Sequence, residues 1–180
     1  QAIDEMDAWY TTTAPLVYGQ GTAVVTGPNG NAAVITGTGD AAAVTVGDLE
    51  DKTAIGPVAS KVQFDKIQGL IQQGIDAGAD LVVGGTGRPD GLGTGYYVRP
   101  TLFANVRSEM KIAQEEIFGP VCTIIPYDSE NDAVRIANDT IYGLAASVWT
   151  SDLRTAHAAV RGLEAGVIYV NCFDHGDPTQ

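Results

Sequence analysis

The apolar positions change period along the chain, and the change divides it. Over residues 22–47 they form three short runs of β-branched and small side chains. These are Thr22-Ala23-Val24-Val25-Thr26-Gly27, Ala32-Ala33-Val34-Ile35-Thr36-Gly37 and Ala42-Ala43-Val44-Thr45-Val46-Gly47, recurring about every ten residues. The connectors Pro28-Asn29-Gly30-Asn31 and Thr38-Gly39-Asp40 supply residues that accept positive φ in tight turns, so the segment reads as a three-stranded meander. Residues 1–20 hold no helix or strand period over more than a few positions.

Beyond Gly47-Asp48-Leu49-Glu50-Asp51 the spacing lengthens. Ser60 is placed to cap a helix carrying Val62, Ile67, Leu70, Ile71 and Ile75, which ends near Gly78. Leu81-Val82-Val83 predicts a strand, and residues 84–93 a loop too rich in glycine to hold an element. An extended stretch comes next, from Tyr96 to Val106, bent at Pro100.

The second extended stretch, Ile117 to Pro126, contains the continuous apolar run Val121-Cys122-Thr123-Ile124-Ile125 of a buried strand. Ser129 then caps a helix through Ala137, Leu144 to Trp149 form a strand, and Ser151 caps a helix through Leu153, Ala156, Val160 and Leu163. Gly166 releases the chain into Val167 to Asn171. Crossovers of this length that contain a helix join parallel strands, and near-continuous apolar strands are those covered on both faces. The expected fold class is α/β: an open, mostly parallel sheet with helices on both faces, preceded by a short-stranded β segment.

Composition narrows the partners. With 44% hydrophobic and 18% charged residues, 180 residues suit one domain with its own core. A formal net charge of −12 repels nucleic acid and anionic membrane surfaces, and no run reaches the roughly 18 to 20 apolar residues of a membrane span. The N-terminus shows no basic region followed by an apolar core, so no signal peptide is read. The two cysteines, Cys122 and Cys172, sit singly in apolar runs without a histidine or second thiol at ligand spacing. That argues against a disulfide framework or a metal site and suits a reducing cytoplasm.

Candidate chemistry is sparse. His157 falls mid-helix and His175 in a terminal polar stretch, with nothing linking them. Gly37-Thr38-Gly39-Asp40-Ala41-Ala42 fits a loose dinucleotide fingerprint, but Ala43-Val44-Thr45-Val46-Gly47 is too short and too β-branched for the helix that fingerprint needs. More informative is Gln114-Glu115-Glu116-Ile117-Phe118-Gly119-Pro120-Val121. It sets two adjacent carboxylates and an aromatic ring at the mouth of a buried strand, where an unpaired charge cannot turn inward. One of the acids is therefore free for a partner outside the core, or the pair is simply a solvated turn.

That stretch resembles the signature of the aldehyde dehydrogenase superfamily. Two further blocks resemble it too: Gly95-Tyr96-Tyr97-Val98-Arg99-Pro100-Thr101-Leu102-Phe103 and Ala137-Asn138-Asp139-Thr140-Ile141-Tyr142-Gly143-Leu144-Ala145-Ala146. The resemblance covers about residues 46–180, which would be part of a catalytic domain, and leaves 1–45 as an atypical segment of ten-residue β repeats.

The resemblance implies oxidation of a small-molecule aldehyde to an acid with NAD or NADP, through a cysteine thiolate and a glutamate that activates water. By position in the motif, Glu116 matches the residue that binds the nicotinamide ribose hydroxyls, and Phe118 the residue beside the nicotinamide ring. Gln63 and Lys66 match residues near the cofactor.

The nucleophile has no match. Gly19-Gln20 resembles the pair that precedes it, but Gly21-Thr22-Ala23 comes next, without a cysteine. The general base and cofactor domain would lie before Gln1, and the family's oligomerising strand would lie after Gln180, although the family is homo-oligomeric. No catalytic residue is therefore expected in this chain. It reads as an inactive part of such an enzyme or as a binding or structural domain derived from its fold.

Overall fold

The structure, a computed structural model, describes residues 22–26, 32–37 and 55–172, the first two segments as backbone only. Seven strands and four helices succeed one another as β1 (Thr22–Thr26), β2 (Ala32–Gly37), α1 (Lys61–Asp76), β3 (Asp80–Val83), β4 (Thr101–Ala104), α2 (Lys111–Gln114), β5 (Val121–Tyr127), α3 (Glu130–Asn138), β6 (Ala145–Trp149), α4 (Leu153–Gly162) and β7 (Val167–Val170). The expected third strand of the meander, the phosphate-loop candidate at 37–42 and His175 lie outside the described residues.

All seven strands join one sheet in the order β3-β4-β5-β2-β1-β6-β7. Pairing is parallel for β4 with β5, β1 with β6 and β6 with β7, and antiparallel for β3 with β4, β2 with β5 and β1 with β2. Five strands thus share a direction, and only β2 and β3 run against them. The fold is α/β, as the alternation of strand and helix implies. The β1–β2 hairpin enters between β5 and β6, so the crossover through α3 joins strands that share a direction without touching.

Register fixes which face carries the helices, because cross-strand partners point to the same side. Ile125 is opposite Val34, Val34 opposite Val24, and Val24 opposite Val148, so Ile125 and Val148 share a face. Against Phe103, Val121 and Ile125 on that face pack Ile67, Leu70 and Ile71 of α1, Ile112 of α2, and Ala133 and Ile136 of α3. Ala159 and Leu163 pack against Ala146 and Val148 on the same face. Cys122, Ile124 and Ser147 face the other way and are buried as well, as the unbroken apolar runs require. Among the described residues the helices that pack on the sheet lie on the first of these two faces.

The helices begin where short polar side chains replace missing backbone acceptors. Ser60 Oγ accepts from the Gln63 N–H at 3.2 Å, and Ser129 Oγ from the Asp132 N–H at 3.2 Å. The cap of α4 is Asp152, one residue beyond the expected Ser151, and its carboxylate accepts from the Thr155 N–H at 2.7 Å. The backbone and hydroxyl of Thr155 hold that carboxyl below its ordinary range. The capping contribution is therefore complete at neutral pH and fades as pH falls through the lowered value.

The buried line of α1 runs through Ile67, Leu70, Ile71 and Gly74, whereas Val62 is 81% exposed and Ile75 lies at the margin. At about 100° per residue, five residues separate Val62 from Ile67 by a turn and more, which carries Val62 off the packed stripe. Gly74 is there for closeness, since a Cβ would come within 2.9 Å of Ile112 Cδ1 and 3.1 Å of Phe103 Cζ. Strand β5 starts at Val121 rather than Ile117, leaving residues 115–120 as a loop. Among the described residues no helix is long and apolar enough to cross a membrane.

Candidate functional site

The loop between α2 and β5 is shaped by what its backbone meets. Ile117 turns into the core, while Phe118 takes a left-handed φ of 55° and swings its ring outward, leaving it 59% exposed. Gly119 comes next, lying so close to α1 that a Cβ would stand 2.6 Å from Ile67 Cδ1. Three successive carbonyls face the helix. Lys66 Nζ donates to Glu116 O at 3.1 Å, and Gln63 Nε2 donates to Ile117 O at 3.0 Å and to Phe118 O at 3.1 Å.

A second wall comes from the segment before β6. Gln114 Nε2 donates to Ser108 O at 2.8 Å and to Asp139 O at 2.7 Å, and Ser108 Oγ donates to the Asp139 carboxylate at 2.7 Å. Tyr142 receives the Glu116 N–H on its hydroxyl at 3.4 Å. Asn138 bridges to the segment before β7, donating to Gly162 O at 2.8 Å and accepting from the Glu164 N–H at 2.9 Å.

These walls, with residues 55–60, enclose a cleft of about 1130 Å³ at the amino ends of β5, β6 and β7. It is at least as large as the roughly 300–1,000 Å³ usual for small-molecule sites. Ser60, Gln63, Glu116, Phe118, Tyr142 and Leu144 are among the residues lining it.

Three of the four expected site residues, Glu116, Phe118 and Gln63, line this one cleft. Lys66 stands behind it, its ammonium 5.4 Å from the Phe118 ring centroid. Among the described residues nothing bonds to the Glu116 carboxylate, whereas its neighbour Glu115 is 3.5 Å from Lys111 Nζ. Both acids line the cleft, but only Glu115 has an ion-pair partner among the described residues. Tyr142, Gln114, Ser108 and Asp139 carry no signal of this arrangement in the sequence, because their bonds span from six to 31 residues.

His157 is exposed on α4, outside the cleft lining. No cluster of three or more histidine, cysteine or acidic side chains at metal-binding distance exists among the described residues.

The thiols differ. Burial pushes Cys122 up to about 12, so its sulfur stays protonated at neutral pH, whereas Cys172 is half-buried at the end of β7. Iodoacetamide applied to the native chain should therefore label Cys172 and spare Cys122 until the chain is unfolded, as read by peptide mass spectrometry. Labelling of Cys122 at the same rate would show that β5 is open.

Comparison with known proteins decides the family: the model of the aldehyde dehydrogenase family matches residues 29–180. The chain belongs to the aldehyde dehydrogenase family. A Staphylococcus saprophyticus protein described as a candidate aldehyde dehydrogenase is 52% identical over 122 residues, which are 68% of this chain and 26% of that protein. Aldehyde dehydrogenase C of Pseudomonas syringae, solved as a cysteine-to-alanine variant with NAD+ and octanal, superposes with a TM-score of 0.72 at 45% identity. The match covers 76% of this chain and 28% of that one. A Mycobacterium tuberculosis aldehyde dehydrogenase solved with NAD+ gives 0.70 at 48% identity, covering 76% and 29%. This aldehyde dehydrogenase chain therefore spans about a quarter of the length of its curated relatives.

The residues present fit a nicotinamide nucleoside on chemical grounds. A ribose offers two adjacent hydroxyls, and the Glu116 carboxylate has acceptor capacity for both. The ring is flat and needs an apolar face, which exposed Phe118 offers in the same cleft.

Proposed function

We propose that this chain contributes the nicotinamide-nucleoside side of an NAD(P) site to an enzyme that oxidises an aldehyde to a carboxylic acid. The observation that carries the reading is the Glu116 carboxylate, unbonded among the described residues, in the same cleft as the outward Phe118 ring. When bound, the nicotinamide supplies a hydride acceptor. Glu116 would fix the ribose through two charge-assisted hydrogen bonds, and Phe118 would limit rotation of the ring while excluding water from one side. The NAD+ held by the Pseudomonas and Mycobacterium proteins supports the choice of cofactor.

Neither described thiol is placed to attack an aldehyde carbon in the cleft, since Cys172 lies outside its lining. Attack needs a thiolate, and Cys122 is kept protonated by burial. We infer that the chain by itself holds ligand without turnover, so dehydrogenase and esterase assays should give no activity above buffer. Calorimetric titration with nicotinamide mononucleotide should show saturable binding that ribose-free nicotinamide does not reproduce. Equal heats for the two would mean that the ribose is not held.

A further inference from the structure

We propose that Gln63 is a positioning residue that acts through the backbone. Its side-chain amide, assisted by Lys66, holds residues 116–118 in the conformation that turns Glu116 and Phe118 into the cleft. The proposal rests on the reading of that cleft as a nicotinamide-nucleoside site.

The geometry separates this role from donation to a ligand, although Oε1 of Gln63 stays available as an acceptor. An amide nitrogen carries two hydrogens, and both of those of Gln63 are committed, one to Ile117 O at 3.0 Å and one to Phe118 O at 3.1 Å. Gln63 cannot donate to a ligand without releasing the loop. Lys66 adds one bond, to Glu116 O, so two side chains one helical turn apart grip three consecutive carbonyls from the same face of α1.

What they grip would not stay in place unaided. A phenylalanine at φ of 55° is in a region that bulky residues rarely occupy, and it persists only where its surroundings over-determine it. The left-handed step sends Ile117 into the core and the next ring out of it. Gly119, flush against Ile67, then closes the turn. With the Gln63 donors removed, two carbonyls lose their partners and Phe118 can relax toward negative φ, which swings its ring and shifts Glu116 with it.

The test has two readouts on the full chain. In NMR spectra of the ligand-free protein, Gln63→Leu should move the Cα and carbonyl shifts of residues 116–119 away from left-handed values at Phe118, with the shifts of β4 and β6 unchanged. Binding of nicotinamide mononucleotide should weaken about tenfold in Gln63→Leu. In a Glu116→Gln, Phe118→Ala background the same change should weaken it little further, because Gln63 acts through those two residues.

Weakened binding with unchanged ligand-free shifts would overturn the proposal in favour of direct contact, as would an undiminished loss from Gln63→Leu in the Glu116→Gln, Phe118→Ala background. Should Gln63→Leu not fold, Gln63→Glu, which also lacks the donors, gives the same readings. If Glu116→Gln leaves binding intact, the cleft reading fails on its own, and the ligand-free shifts still decide the role of Gln63.

Discussion

Phe103→Ala should lower the unfolding free energy by about 3–5 kcal/mol, the cost of deleting a large side chain from a site that cannot collapse around the void. Phe103 is fully buried in β4, and the cluster around it draws on α1, α2, α3 and β5. Its ring tip lies 3.1 Å from where a Cβ on Gly74 would stand, so α1 has already closed as far as its backbone allows. Relaxation therefore has little to work with. A loss of this size is a large share of the roughly 5–15 kcal/mol that usually separates folded from unfolded domains. Urea unfolding followed by circular dichroism measures it, with exposed Val62→Ala as a control expected to stay within about 0.5 kcal/mol. A change below about 1 kcal/mol at Phe103 would mean that this cluster is not the core.

Glu116→Gln should weaken binding of nicotinamide mononucleotide about tenfold to a hundredfold, equivalent to the roughly 1.5–3 kcal/mol of hydrogen bonding to a charged acceptor. The substitution keeps size and shape, removes the charge, and replaces one acceptor oxygen by a donor that faces ribose hydroxyls poorly. Because nothing among the described residues bonds to this carboxylate, the change should leave the unfolding midpoint where it was. Glu115→Gln, which breaks only a half-exposed contact with Lys111, should leave binding as it is. Equal effects from the two acids would point to general field rather than to a held diol.

Much of the fold was legible in the sequence, and for physical reasons. Ser60 and Ser129 announced their helices because an N-cap is a local device, settled within three residues. The mouth of β5 stood out because Gly119 and Pro120 interrupt an apolar run directly after two acids. Strand neighbours were not legible, since the place of the β1–β2 hairpin between β5 and β6 depends on pairings from 85 to 124 residues apart. Nor was the exposure of Val62, because its residue type does not say which way the stripe is phased.

At the site, Glu116 and Phe118 could be named from the motif they share. The hand that holds them could not be. Gln63 lies 54 residues before Ile117, and only the folded helix brings its amide to that carbonyl. That Glu115 pairs with Lys111 while Glu116 has no partner among the described residues was hidden for the same reason, as it depends on where α2 ends and where Lys111 stands on it.

The most direct measurement is an intermolecular nuclear Overhauser spectrum of the chain saturated with nicotinamide mononucleotide. Cross-peaks from the nicotinamide ring protons to the Phe118 ring, together with peaks from the ribose protons to the Glu116 methylenes, are expected from a nucleoside seated between these two residues. Saturable binding with neither set of peaks, the ligand contacting other parts of the molecule instead, would contradict the assignment of this cleft.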